Sequence, residues 1–329
     1  MKKLRRVLCA FFALFLCVAV LPVHGVYVYA EEDENSVYLG GYPIGISIDV
    51  GGLLIESITG VETEYGIAAV EGLKKGDIIK KIDGNKVTSV DEIGDIVKSD
   101  ELVNIELVRN GVDMSLDVKP IKEAFSQKPR LGIKIKDVIY GVGTVTFVRA
   151  DGTFAALGHE ISAGDGINIP FSGGHIHACK VVGVKRGQKG EAGALLASVS
   201  PEKVYGSVSC NNSYGIAGSF GTEFDKGEKV NVAKRSEVHS GNAKIKTCVN
   251  GTPEYYDIEI IKASHQPARK EKGLIIRVTD KRLLNITGGV VRGMSGSPIL
   301  QDGKLVGAVT HVFLNDFTKG FGVYAEFLN

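Results

Sequence analysis

The sequence predicts a mainly β protein built from two successive modules. Glycine is abundant, at 42 of 329 residues. Short runs rich in Val, Ile and Thr alternate with Gly- or Asp-containing turns through most of the chain, a spacing typical of β-barrels and β-sandwiches. The length is enough for about two domains. A net charge of +1 gives no indication of a nucleic-acid partner.

The first 30 residues predict export. The basic start MKKLRR is followed by an apolar stretch without a charged residue as far as Ala30, and the acidic run EEDE comes next. This is the pattern of a signal peptide. The uncharged stretch also reaches the ~20 residues that a membrane anchor needs. We therefore expect residues 1–30 to be a signal peptide or a membrane anchor, and the remaining chain to work outside the cytoplasm.

Residues 42–121 predict a separate β module with one short amphipathic helix. Within it, GLKKGDIIKKIDGNKV (72–87) resembles the PDZ domain, in which a Gly-Leu-x-x-Gly-Asp turn leads into an apolar strand and an Asp-Gly turn. PDZ domains bind a peptide by adding it as a strand to an open sheet edge. A closed module that binds nothing is the alternative. The resemblance implies a peptide-binding loop at Tyr42, Ile44, Gly45 and Ile46.

The polar segment EAFSQKPR (123–130) interrupts the β pattern and predicts a linker. From residue 131 to residue 329 short strands recur closely, which predicts a second domain that is a β-barrel or sandwich.

The segment GMSGSP (293–298) has more turn-forming residues than a hairpin needs. It resembles the nucleophile turn of chymotrypsin-like serine proteases, Gly-Asp-Ser-Gly-Gly-Pro. Small residues allow two backbone N–H groups to converge on the oxyanion that forms during acyl transfer. The resemblance implies that Ser295 is the nucleophile and that the N–H groups of Gly293 and Ser295 form the oxyanion hole. It also implies a chymotrypsin-like double β-barrel over residues 131–329.

A catalytic serine needs a general base. His159 follows a predicted strand in the first half of this domain, and its position fits the chain order His, Asp, Ser. A third group, usually a carboxylate, holds the imidazole in the correct tautomer. Spacing alone does not choose among Asp225, Asp257 and Asp280.

Three further motifs indicate a narrower family. LGH (157–159), VTD (278–280) and GGVVRGMSGSPI (288–299), the last with GAVTHV (307–312), resemble the stage IV sporulation protein B peptidases. The order of an export segment, a PDZ domain and a protease domain also matches. The resemblance implies a triad of Ser295, His159 and Asp280, with no cofactor.

The same resemblance implies a signalling role. Members of that family cleave themselves and a membrane-bound regulator in the space between the forespore and mother-cell membranes. The cleavage releases an intramembrane protease that activates a late sigma factor. We expect the PDZ module to hold substrate or the enzyme's own N-terminal segment.

Other functions remain open on the sequence. A degenerate protease fold could act as a PDZ-bearing scaffold that binds peptides without catalysis. His175, His177 and Cys179 alternate along one predicted strand and could ligate zinc, but no further ligands stand nearby, so we expect no metal. His311 either lines the specificity pocket or is structural. An odd number of cysteines beyond the export segment leaves open one disulfide with a free thiol, or three thiols: Cys179, Cys210 and Cys248.

Overall fold

The computed structural model describes residues 35–162, 171–188, 191–221, 224 and 226–328. The predicted signal peptide or anchor at 1–30 and the candidate Asp225 lie outside the described residues. The mainly β class is confirmed, since strands dominate and the α-helices are short, α1 (Glu92–Ile96) and α2 (Lys281–Thr287). In the part of the chain that is described, no helix has the length and apolar character needed to cross a membrane.

The strands in chain order are β1 (Ser36–Leu39), β2 (Pro43–Ile58), β3 (Val61–Thr63), β4 (Gly66–Ala68), β5 (Ile78–Ile82), β6 (Asn85–Lys86), β7 (Val103–Arg109), β8 (Val112–Val118), β9 (Ile121–Lys122), β10 (Pro129–Arg130), β11 (Ile133–Val148), β12 (Thr153–Ala156), β13 (Gly174–Lys185), β14 (Ala194–Asn212), β15 (Gly215–Phe220), β16 (Lys229–Asn231), β17 (Gly241–Cys248), β18 (Pro253–Ala263), β19 (Leu274–Val278), β20 (Pro298–Gln301), β21 (Lys304–Val312) and β22 (Lys319–Tyr324).

The C-terminal half of the chain forms a closed six-stranded barrel in the order β17, β18, β19, β22, β21, β20. Alternating apolar residues of these strands point inward, as the period of two along a strand requires. Ile245, Ile276, Ile299 and Val309 are fully buried in this core. We call this ring the second barrel.

A second ring of six strands precedes it. The strands β2, β11, β12, β15, β14 and β13 pair in that order, and β13 pairs back onto β2 to complete the ring. Its core contains Ile44, Ile46 and Ile48 of β2 with Phe154 and Ile176. We call this ring the first barrel, and the two rings together confirm the predicted double β-barrel.

The first barrel begins earlier in the chain than expected. Residues 44–48, which the sequence assigned to the PDZ-like module at 42–121, pair with β11 on one side, and residues 45–48 pair with β13 on the other. The segment from 131 onward supplies only five strands to this ring, so the sixth must come from before the module. The boundary at residue 131 is therefore wrong for the first barrel, because the module is inserted between β2 and β11.

The inserted module has its own sheet and core. The second half of β2 pairs with β5, then β7 and β8 follow, and the predicted hairpin turn at Asn110 and Gly111 joins the last two strands. Asp77, the last residue of the Gly-Leu-x-x-Gly-Asp turn, is fully buried. Its carboxylate accepts two 2.7 Å hydrogen bonds from the Arg109 guanidinium, which also donates to the Gly72 carbonyl.

The predicted linker belongs to the module. Residues 123–130 connect β9 to β10, and these two short strands pair with each other. The Ala124 N–H also donates to the Glu62 carbonyl at 2.8 Å. The polar composition therefore marks a hairpin turn rather than a free connection.

Candidate active site

The predicted nucleophile turn lies where the two barrels meet. Residues 293–296 connect α2 to β20 of the second barrel, yet the Ser295 carbonyl accepts a 2.9 Å hydrogen bond from Thr144 N–H on β11 of the first barrel. Gly296 has φ of +94°, and a Cβ there would stand 2.0 Å from the Thr144 carbonyl oxygen. Only glycine fits this approach, which explains the small residues of the motif.

His159 reaches the same place from the first barrel. It follows β12 closely, and Leu157 N–H donates to the Thr144 carbonyl at 3.2 Å. At Gly158 the chain passes so near the second barrel that a Cβ would stand 2.9 Å from Thr310 Cγ2. Thr144 therefore contacts both the segment that carries His159 and the turn that carries Ser295.

The environment of His159 makes it a neutral base. Its Nδ1 lies 2.8 Å from the Glu160 carbonyl oxygen. Because a carbonyl can only accept, Nδ1 carries the proton and Nε2 keeps its lone pair. Burial lowers the pKa of His159 below its usual value. The free nitrogen is therefore available as a proton acceptor near neutral pH.

A second imidazole lies beside the first. The His311 ring centroid is 4.8 Å from that of His159, and burial together with the neighbouring His159 lowers the pKa of His311 to about 4. Both rings line a cavity of about 440 Å³ together with Tyr140, Leu157 and Glu160. This places His311 at the site. A larger cavity of about 770 Å³ lies on the second barrel and includes none of the proposed nucleophile, base or oxyanion residues.

The hydroxyl of Ser295 does not bond to His159 in this structure. Its Oγ donates to the Thr310 carbonyl at 2.6 Å, next to His311 in the chain. Catalytic hydrogen bonds are often formed only once substrate is bound. Rotation about one side-chain bond would release Oγ from Thr310. The structure thus brings the segments of Ser295 and His159 together and leaves the final bond unmade.

The two predicted oxyanion donors are unoccupied. Among the described residues, no acceptor receives a hydrogen bond from the N–H of Gly293 or of Ser295. Free, neighbouring backbone donors beside a serine are what an oxyanion hole requires.

Asp280 is not brought to His159. It is the N-cap of α2, where one carboxylate oxygen accepts from Arg282 N–H at 2.8 Å and the other lies 2.8 Å from the Arg282 guanidinium. Arg282 holds the pKa of Asp280 at about 2. Asp257, the other described candidate, pairs with Lys244. The group on Nδ1 of His159 is instead a backbone carbonyl, which no side-chain motif could have revealed.

A separate Ser–His pair exists inside the first barrel. Ser47 Oγ and His177 Nε2 are 2.7 Å apart, and His177 Nδ1 lies 2.9 Å from the Pro201 carbonyl. Both side chains are buried, and the pair joins neighbouring strands β2 and β13. No backbone donors of a nucleophile turn accompany it. We interpret this pair as polar groups that satisfy each other within the sheet.

The possible zinc ligands are not assembled. Both ring nitrogens of His177 are already hydrogen-bonded, so it cannot join His175 and Cys179 around an ion without losing those bonds. Across the described ranges, no group of three or more His, Cys, Asp or Glu side chains is placed to hold a metal. The three cysteines beyond the export segment are unbridged in the structure: Cys179, Cys210 and Cys248.

The predicted peptide-binding loop is not an open edge. Gly45 and Ile46 pair with β11 on one side and β13 on the other, and Ile44 also pairs with β11, while Tyr42 accepts a bond from Val145 N–H. A peptide cannot add a strand where both edges are occupied. The expectation for this loop is therefore corrected, because the segment was needed for the first barrel.

An open edge exists elsewhere in the module. Residues 133–136 of β11 pair with β2 alone among the described strands. Ile133 and Ile135 of this segment pack on the module's core beside Ile93 and Ile96 of α1. A strand edge beside a helix is the arrangement that β-addition of a peptide uses.

Comparison with known proteins identifies a family for the protease part. A family model described as SpoIVB peptidase S55 matches residues 127–328. Among curated proteins no match to the chain is found. The inserted module before residue 127 lies outside the matched range.

Solved structures similar to the chain are serine-protease folds at low identity. The inactive form of the Rv3671c protease, from M. tuberculosis, has a TM-score of 0.34 and 13% identity, covering 57% of this chain and 81% of that one. The HtrA-type protease AlgW with a decapeptide has a TM-score of 0.36 and 9% identity, covering 63% and 53%. Human heparin binding protein has a TM-score of 0.32 and 9% identity, covering 56% and 81%. Likenesses this remote carry no information about activity.

Proposed function

The chain belongs to the SpoIVB peptidase S55 family and is a serine protease, and on that premise we propose that it is an exported endopeptidase with Ser295 as nucleophile and His159 as base. The observation that carries the proposal is the meeting of their two segments at Thr144, beside the cavity lined by His159. No cofactor is needed for this chemistry, because nucleophile, base and backbone donors all come from the chain.

The geometry supports a stepwise mechanism. Ser295 Oγ turns from the Thr310 carbonyl toward Nε2 of His159 and attacks the scissile carbonyl as His159 takes its proton. The N–H groups of Gly293 and Ser295 bind the oxyanion. His159 then protonates the leaving amine, and a water molecule activated by the same imidazole releases the acyl-enzyme. The Glu160 carbonyl keeps the His159 proton on Nδ1 throughout.

We further propose that the substrates are this chain's own N-terminal segment and a membrane-bound regulator of an intramembrane protease. Family membership supports this role, as does the predicted export segment at 1–30, which would deliver the enzyme to the space between the forespore and mother-cell membranes. The PDZ-like module would present an extended peptide at the open edge of residues 133–136.

Active-site labelling tests the enzyme proposal. We expect an alkyl fluorophosphonate to label the purified protein on Ser295, as mapped by peptide mass spectrometry, and the His159→Ala variant to label far more slowly. The alternative function, a catalytically inactive scaffold, requires that no serine is labelled. Labelling of Ser47 instead would make the buried Ser–His pair the active site.

The signalling role needs a separate test in cells. A spore-forming bacterium that lacks its own member of the family would receive this chain or its Ser295→Ala variant. We expect only the active chain to restore cleavage of the membrane-bound regulator and late sigma-factor activity. If both restore them, proteolysis is not what the cell needs from this protein.

The pH dependence of labelling follows from the burial of His159. Burial lowers its pKa below 6.5, so the base remains unprotonated at a pH where an exposed histidine would be half protonated. The labelling rate should therefore persist as the pH falls through 6.5 and decline only below it. The measurement is the second-order rate with fluorophosphonate across this range. A midpoint above 6.5 would contradict a buried, neutral base.

Variants of Asp280 separate a structural role from a catalytic one. Asp280→Asn keeps a capping oxygen and loses the charge that pairs with Arg282, so we expect labelling within about tenfold of wild type. Asp280→Ala should lose about 0.5–2 kcal/mol of unfolding free energy through the lost cap. Thermal unfolding and labelling rates check both. A folded Asp280→Asn protein that labels ~10⁴-fold more slowly would make Asp280 the orienting carboxylate.

A further inference from the structure

Thr144 is the most connected residue between the two barrels at this site. Its N–H donates to the Ser295 carbonyl at 2.9 Å, its carbonyl accepts from Leu157 N–H at 3.2 Å, and its hydroxyl donates to the Gly293 carbonyl at 2.9 Å. Thr144 is buried, with 1% of its surface exposed. The first two bonds need only a backbone, whereas the third depends on the side chain.

The hydroxyl bond acts between the two oxyanion donors. The N–H and C=O of one peptide unit lie in one plane and point in opposite directions, so holding a carbonyl also fixes the N–H of the next residue. The Arg292 carbonyl accepts from Leu195 N–H at 2.8 Å, which orients the N–H of Gly293. The Met294 carbonyl accepts from Ser297 N–H at 2.9 Å, which orients the N–H of Ser295.

The peptide unit between these two is held by Thr144 alone from the first barrel. If the Gly293 carbonyl were free, the unit joining Gly293 to Met294 could rotate and carry both donors away from a common point. Glycine at 293, with φ of +94°, imposes little resistance to such a rotation. Thr146 makes a similar 2.7 Å bond to the Gly296 carbonyl, but that carbonyl lies beyond both donors.

We propose that Thr144 is a positioning residue for the oxyanion hole, acting through its hydroxyl on the Gly293 carbonyl. The inference rests on the proposed function, since it concerns how the same turn is kept ready for catalysis. The second barrel supplies the two donors, and a side chain of the first barrel holds them convergent. Thr144 itself does not touch the substrate.

The test compares three variants by fluorophosphonate labelling. Thr144→Val keeps the branched shape and the backbone bonds but removes the hydroxyl, and Thr144→Ser restores it. Thr146→Val is the matched control, because it removes an equivalent buried hydroxyl from the same strand. We expect Thr144→Val to lower the maximal labelling rate kinact by about 10–100-fold with KI nearly unchanged. Thr144→Ser and Thr146→Val should stay within about threefold of wild type.

Two results would overturn the inference. One is a wild-type kinact in Thr144→Val. The other is an equal fall in Thr144→Val and Thr146→Val that follows their thermal stability, which a purely structural role predicts. Should Thr144→Val fail to fold, Thr144→Ala removes the same hydroxyl with a smaller side chain.

A second readout does not depend on activity. In the Ser295→Ala background, Thr144→Val should speed amide hydrogen exchange at residues 293–295, and Thr146→Val should not. Equal exchange in both variants would reject the role of Thr144. If wild-type protein is not labelled on Ser295 at all, the proposed function fails, and the exchange measurement still decides whether Thr144 positions the turn.

Discussion

Replacing Ser295 with alanine is expected to abolish proteolysis and fluorophosphonate labelling, while Ser297→Ala retains most of both. Loss of a serine nucleophile costs on the order of 10⁶ in rate. Ser297 is fully buried, and its Oγ has no hydrogen-bond partner among the described residues, so its removal leaves no donor or acceptor unpaired. Mass spectrometry of each purified protein would report self-cleavage and the mature N-terminus together.

The neighbouring serines make this comparison specific. Ser295 and Ser297 lie in one turn, and the N–H of Ser297, which holds the Met294 carbonyl, is kept in the alanine variant. Ser47→Ala is a further control, because it removes the other Ser–His contact and should leave labelling intact. An inactive Ser297→Ala protein together with an active Ser295→Ala protein would move the nucleophile to residue 297.

Replacing Asp77 with alanine is expected to give the largest loss of stability among single changes in the inserted module. The Asp77 side chain is 1% exposed and the Arg109 side chain is 20% exposed. Besides the paired guanidinium, Asp77 accepts from Lys74 N–H at 2.8 Å. Breaking a buried ion pair on one side leaves the other charge uncompensated and costs about 3–5 kcal/mol. Urea unfolding followed by circular dichroism measures the change.

An exposed pair on the same two strands provides the control. Lys81 and Glu106 lie 2.9 Å apart with 45% and 42% of their side chains exposed. Surface ion pairs contribute about 0–1 kcal/mol, so Glu106→Gln should change the unfolding free energy by no more than that. If Asp77→Ala is no more destabilising than Glu106→Gln, the buried pair does not hold the Gly-Leu-x-x-Gly-Asp turn.

Local motifs predicted the parts of the site that local chemistry determines. The turn at Ser295 requires small residues because its backbone touches Thr144, and that requirement is written into six consecutive positions. The hairpin at Asn110 and Gly111 is predictable for a similar reason, since both residues adopt positive φ. The segment of His159 was located by its place after a strand.

Features that depend on distant pairing were not predictable. The run of apolar residues in β2 is equally compatible with a strand of the module and a strand of the first barrel, and only closure of the ring decides between them. Asp280 matches a family motif, but whether its carboxylate faces His159 or caps α2 depends on Arg282. Thr144 stands in an ordinary strand sequence, and its role arises from contacts about 150 residues away along the chain.

The most direct test of the central claim is a crystal structure of the protein after reaction with a fluorophosphonate. The account predicts a covalent bond from Ser295 Oγ to phosphorus. The phosphonyl oxygen should lie about 2.7–3.1 Å from the backbone nitrogens of Gly293 and Ser295, with Nε2 of His159 within hydrogen-bond reach of the adduct. An adduct on another residue, or one on Ser295 that leaves His159 out of reach, would contradict it.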